Sequence, residues 1–314
     1  MHKFFVILFA LLFVFPGCLD EEIDKLDNID DLEINEPGNE SLNETVNQTE
    51  EVREPELIEV PYEVGCDNSN PLHCMFPFPS SAFLREDSTT VTGYRVNYTK
   101  TTIPGSGTFR QVEIPGLNRL DGMSPSTQIL TAFEDDPVLT NVANQSTIES
   151  SLEEGHSTIL LNLDSGEMVA HWVELDVRTD NRGPTILYIR TIKGLDHNTA
   201  YGVAISGLTN STGDLISPSL AFKALIEGDY TNAPDVEVRS DNFDNLFEDL
   251  KSHGYERQNL QAAWQFHTAS TESIVGGMLH MREDALSRLG DDGIGCNVTS
   301  TEDNYGDDNL TFRR

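Results

Sequence analysis

The chain has 314 residues, 38% of them hydrophobic, which is enough to build one or two buried cores. Its 20 lysines and arginines stand against 53 acids, giving a formal net charge of -33 and a pI near 4.3. Such a surface repels phosphate backbones and excludes a nucleic-acid partner; it suits a solvated protein in a saline medium, with cation binding as the sharper alternative.

The chain opens on His2 and Lys3, followed by an unbroken apolar run from Phe4 to Phe15 and then Pro16-Gly17-Cys18. That run has the length of a secretory h-region and is short for a membrane span. A small residue before a cysteine at this point resembles the lipobox of prokaryotic lipoproteins. The resemblance implies export, a diacylglyceryl thioether on Cys18 and anchoring through membrane lipid to the outer face of the cell. An ordinary signal peptide followed by a chance cysteine is the plainer alternative.

Residues 19–63 are dominated by acids, with Lys25 and Arg53 as the bases, and their scattered Ile and Leu are too few for a core. They read as a disordered, charge-extended tether. Sequons at Asn39, Asn43 and Asn47 fall four residues apart within it, and others begin at Asn97, Asn144, Asn210, Asn297 and Asn309. These eight asparagines are the candidate N-glycosylation sites.

Folded sequence is expected from about residue 64. Turn formers separate Cys66 from Cys74, and an exported compartment permits their oxidation to a disulfide worth about 2 to 3 kcal/mol. A zinc site using His73 lacks a second pair of ligands. The prolines of Met75-Phe-Pro-Phe-Pro79 confine that segment to an edge or a covering strap, and Thr89 to Tyr98 reads as a strand. Thr127 to Phe133 is the next strand, followed by a turn at Asp135-Asp136-Pro137. Ser157 to Leu163 and the alternating Met168 to Val177 read as a hairpin about Asp164-Ser165-Gly166, with further strands at Thr185–Thr191 and Tyr201–Gly207. Strands so closely spaced, with no helix pattern between them, argue for an antiparallel sandwich.

Beyond Ser217 the apolar period changes to that of a helix. Phe243, Leu246, Phe247 and Leu250 mark a helix over Asn242–His253, stopped by Gly254. A second helix is expected over Thr271–Leu289, capped by Ser270, with Ile274, Met278, Met281, Ala285 and Leu289 at core spacing. Between the two, Ala262–Thr268 alternates as a strand. Residues 291–314 form a polar tail with no terminating element, the pattern of a chain cut short, and Cys296 is left without a partner.

No Gly-x-Ser-x-Gly elbow is present: Gly105-Ser106-Gly107 lacks the spacing, and Ser206 has Ala204 where the first glycine belongs. Nor is there a phosphate loop, a His-Glu-x-x-His or a Ser-x-x-Lys pair, so no catalytic residue, metal ligand or cofactor is assigned. His171 and His267 read as packing or hydrogen-bonded residues rather than as bases. Glu174 and Asp176 share a strand face, open to either an acid–base pair or solvent. The acids at Asp291-Asp292 and Asp303–Asp308 do not fit an EF-hand and read as solvated loops.

The order of Asn70–Ser81, Leu120–Pro125, Leu161–Glu167, Glu174–Asp176 and Ala263–Ser270 resembles the N-terminal region of bacterial virulence-factor-type lipases and related exported lipoproteins. Ser124 to about Ser217 also resembles bacterial Ig-like domains, with Leu195–Tyr201 and Gly207–Asp214 in the positions of the closing strand and turn. In the lipase-like members this region precedes an α/β-hydrolase domain that holds the nucleophile. The resemblance implies a mainly β chain: a strap with the Cys66–Cys74 loop over 64–123, an Ig-like antiparallel β-sandwich over 124–225, and an α+β extension over 226–290. The expected role is a non-catalytic surface lipoprotein that engages an extracellular protein or glycan. The rival is the accessory region of a secreted lipase or esterase.

Overall fold

The computed structural model describes residues 53–103, 112–177, 183–290, 293, 295, 299, 301–303 and 311–313. In chain order the elements are β1 Leu57–Ile58, β2 Leu84–Glu86, β3 Tyr94–Val96, α1 Ile114–Leu117, β4 Ile129–Ala132, β5 Thr158–Asn162, β6 Glu167–Met168, β7 His171–Leu175, β8 Ile186–Thr191 and β9 Ala200–Ser206. They continue with α2 Leu220–Glu227, β10 Tyr230–Thr231, α3 Pro234–Glu237, α4 Ser240–Lys251, β11 Leu260–His267, α5 Thr271–Leu289, β12 Thr301–Asp303 and β13 Thr311–Arg313. The result is β-rich, with several mostly antiparallel sheets and few helices.

Two sheets carry the body. One has four strands in the order β11-β9-β5-β6 and the other three in the order β4-β8-β7. Leu160, Val203, Ile205, Trp264 and Phe266 of the first share one core with Ile129, Val173, Leu187 and Ile189 of the second. The opposite face of the four-stranded sheet presents Ile159, Leu161, Ala204 and Ala263 to Phe222 and Leu225 of α2 and to Phe243, Leu246, Phe247 and Leu250 of α4. β9 is therefore covered on both faces, which is why its sequence reads as a nearly continuous apolar run. Each large side chain of α4 buried there contributes about 1.5 to 3 kcal/mol. Gly202 of β9 leaves the room α4 needs: a Cβ at that position would lie 2.6 Å from Leu246 Cδ1.

β11 contributes to both cores and carries a bulge at its start. The register slips between Leu260 and Ala262, so Leu260 faces the helices while Ala262, Trp264 and Phe266 face the other sheet. Gln261, at the slip, receives the Leu208 N–H on Oε1 and donates through Nε2 to the carbonyls of Leu208 and Ile216. Because β11 pairs with β9 from His267↔Ala200 to Leu260↔Ser206, the main sheet runs across the boundary expected at 225/226.

Several expectations need correction. The hairpin of Ser157–Leu163 with Met168–Val177 is only a two-residue ladder, Leu161↔Met168 and Asn162↔Glu167. After Met168 the chain leaves that sheet, and His171–Leu175 pairs with β8 in the other. Alternation persisted across the crossing because both segments present side chains to one shared core. The strand expected over Thr89–Tyr98 shrinks to Tyr94–Val96, since Asp87 Oδ1 binds the N–H of Thr89 and makes a turn of the residues before it.

The tether also ends earlier than residue 63. Leu57–Ile58 pairs in parallel with Tyr230–Thr231, Val60 is buried, and the N–H groups of Glu56 and Val60 donate to Asp229 Oδ1 (2.8 Å) and Asn232 Oδ1 (2.7 Å). Within the polar tail, Thr301–Asp303 and Thr311–Arg313 form an antiparallel ladder, so the segment is not without structure. α2 was not anticipated, although its signals are present: Ser219 Oγ accepts the Phe222 N–H, and Gly228 closes the helix at φ 74°.

α5 spans the expected residues, and Ser270 Oγ caps it by accepting the Ser273 N–H. Its apolar stripe, however, is not core. Met278 and Met281 are 67% and 60% exposed, and Ile274, Leu286 and Leu289 are exposed too. Helical spacing reports a face, and this one is exposed to solvent.

Candidate functional site

The Cys66–Cys74 disulfide closes a loop whose Asp67, Asn68 and Ser69 are all buried. Arg239, at the start of α4, reaches into it. Its Nη2 lies 2.7 Å from Asp67 Oδ1 and 3.2 Å from Asp235 Oδ2, and its Nε donates to the Asp235 carbonyl at 2.8 Å. Asp67 accepts further from the hydroxyls of Ser69 and Ser80, and Asn68 donates from Nδ2 to Asp235 Oδ1 at 2.7 Å. Burial alone would push the Arg239 guanidinium down, but the Asp67 and Asp235 carboxylates outweigh it and hold it above its ordinary value. The network fixes the loop and strap onto the helical layer.

Beside this anchor lies a cavity of about 370 Å³ between the ends of β4 and β11 and the first turn of α2. Trp264, Phe133, Phe222 and Leu72 give it an apolar lining, with Lys223 and Glu134 at its exposed rim. Polar side chains along its wall are already engaged: Asn70 donates to Thr131 Oγ1 and the Ala132 carbonyl, Ser219 to the Ser69 carbonyl, and Gln261 across the bulge. Such walls suit an apolar group of a ligand or partner. The strap closes the neighbouring edge, since Phe78 and Leu130 exchange backbone hydrogen bonds along β4.

The sites named from the sequence scatter. Cys18, Asn39, Asn43, Asn47, Cys296, Asn297 and Asn309 lie outside the described residues, as do most of the tail acids. Asn97 and Asn144 are exposed; Asn210 is half-buried, its Oδ1 accepting from Thr212 and Asp214 in its own turn. Glu174 is engaged by three donors. Its carboxylate accepts from Trp172 Nε1 (2.9 Å), Arg190 Nε (2.7 Å) and Gln145 Nε2 (2.7 Å), which hold it below the usual carboxylate range, the Trp172 bond most strongly.

His171 is fully buried between Thr158 and the Val169 carbonyl, and burial pushes its imidazole down to about 4. His267 lies edge-on to Tyr94 at 5.2 Å and is pushed down by burial, against the opposing charges of Asp164 and Asp121. Among the described residues no group of three or more His, Cys, Asp or Glu side chains is placed to hold a metal ion. Sequence reasoning missed the Asp67–Arg239 pair, 172 positions apart, and the cavity, whose walls come from distant segments, because neither carries a local motif. No protein-family model matches the chain, and no curated protein matches it.

Proposed function

We propose that the chain is a non-catalytic cell-surface lipoprotein, exported, anchored through a lipid on Cys18, and presenting a β-sandwich of Ig-like type to an extracellular protein or glycan. The observation that carries this reading is the Cys66–Cys74 disulfide set within the buried Asp67–Arg239 network, since such bonds persist in oxidising compartments. The apolar run ahead of Cys18 and the exposed sequons at Asn97 and Asn144 support the same location. Two antiparallel sheets sharing one core support the Ig-like type, and the apolar cavity beside the strap is the proposed contact.

Anchoring is tested by fractionating native host cells. Replacing Cys18 by serine is expected to move the protein from the membrane to the soluble fraction, and retention in the membrane would sink the lipid anchor. A second reading, the accessory region of a secreted lipase or esterase with a separate α/β-hydrolase domain, is favoured by the exposed apolar stripe of α5. That face suits packing against a further domain.

A further inference from the structure

Two buried histidines join the two main sheets at one point. His156, just before β5, and His171, in β7, stand edge-on with ring centroids 5.8 Å apart. His171 Nδ1 lies 2.8 Å from the Val169 carbonyl, which can only accept, so Nδ1 carries the proton. Its bare Nε2 then accepts the hydroxyl of Thr158 at 2.8 Å, a bond from one sheet to the other. His156 Nε2 accepts the backbone N–H of Ala143 at 2.6 Å, while its Nδ1 lies 2.8 Å from the Thr158 carbonyl oxygen and 3.2 Å from the Thr158 backbone nitrogen.

These bonds hold a cover in place. Ala143 is part of the connector between β4 and β5, and its carbonyl accepts the Val173 N–H of β7 at 2.9 Å. The Asn141 carbonyl likewise accepts from Ser157 at 3.1 Å. β7 is the outer strand of its sheet, so the connector lies along an edge that would otherwise be open.

We propose that the His156–Thr158–His171 cluster is an acid-released latch, in which protonation of the bare His171 Nε2 breaks the Thr158 bond between the sheets and loosens β7 together with the connector around Ala143 that covers its edge. A proton on His171 Nε2 forces the Thr158 hydroxyl to turn away and places a charge in a fully buried site.

The sign follows from burial. His171 is pushed down to about 4 in the closed form, against an ordinary value of 6.5. Closure is therefore fully favoured above pH 6.5 and is weakened as pH falls from there toward 4, where an open form binds the proton better. The Tyr255 hydroxyl donates to the carbonyls of His156 and Thr158; burial pushes it up to about 12, so it does not titrate in this window. Ser151 Oγ accepts the His171 N–H. The nearby carboxylates are Glu153 and Glu154, both exposed, and Glu174, held by Trp172 and Arg190. Among the described residues, no carboxylate is hydrogen-bonded to either ring.

The test is residue-resolved amide hydrogen exchange on the full chain from about pH 7.5 to about pH 4.5, corrected for intrinsic exchange. Protection at Ala143 and Val173 is expected to fall by at least about tenfold, while Val203 and Ile205 of β9 keep theirs. Unchanged protection at Ala143, or its loss together with that of β9, would overturn the latch. His171→Gln removes the titrating ring, and is expected to keep Ala143 and Val173 protected at the lower pH. Opening of that variant at the parent's pH would overturn the assignment to His171; should it fail to fold, the parent's exchange profile decides alone.

Discussion

Replacing Arg239 by leucine is expected to cost about 3 to 5 kcal/mol of unfolding free energy, read from the shift of a denaturant midpoint. Asp67 is 0% exposed, and with the guanidinium gone its charge keeps only hydroxyl and backbone donors. The double variant Asp67→Asn with Arg239→Leu should recover much of the loss, because it removes both buried charges together. A useful contrast is Arg190→Leu. Its bond to Glu174 is as short, at 2.7 Å, but both side chains are about a third exposed, and the change should cost less than about 1 kcal/mol. Equal losses from the two single variants would remove the network from its place as the anchor of the Cys66–Cys74 loop.

Trp264→Ala should destabilise by a similar amount, about 3 to 5 kcal/mol. The indole is fully buried among residues of both sheets, and its Nε1–H donates to the Pro79 carbonyl at 3.0 Å, tying the strap to β11. Alanine opens a void in the shared core and leaves that carbonyl without its donor. Trp264→Phe keeps most of the volume and loses the bond, so it should cost less, on the order of 1 to 3 kcal/mol. Denaturant unfolding of the two variants side by side separates packing from hydrogen bonding. If the phenylalanine variant fell as far as the alanine one, the strap bond rather than the void would be the larger contribution.

How much of this was legible in the sequence depends on the range of the interaction. Periodicity located β4, β8, β9, β11 and α4 because each buries its own side chains in a regular pattern, as Phe243, Leu246, Phe247 and Leu250 do; it located α5 as well, without that burial. It failed where the pattern continued while the partner changed: from Met168 to His171 the alternation runs on, but the strand moves to another sheet. It failed in the opposite way at Met278 and Met281, whose core spacing faces solvent. Leu57–Ile58 was hidden in acidic sequence because its pairing with β10 is supported by side chains more than 170 positions away, Asp229 and Asn232. The candidate site was the least legible part. The cavity draws its wall from the strap, β4, α2 and β11, and no one of these segments announces the others.

The measurement closest to the central proposal is the mass of the N-terminal peptide of the native protein extracted from host membranes. The surface-lipoprotein reading predicts a mature chain beginning at Cys18 with a diacylglyceryl group on its sulfur. A chain recovered from the soluble fraction, with Cys18 removed or bare, would contradict it.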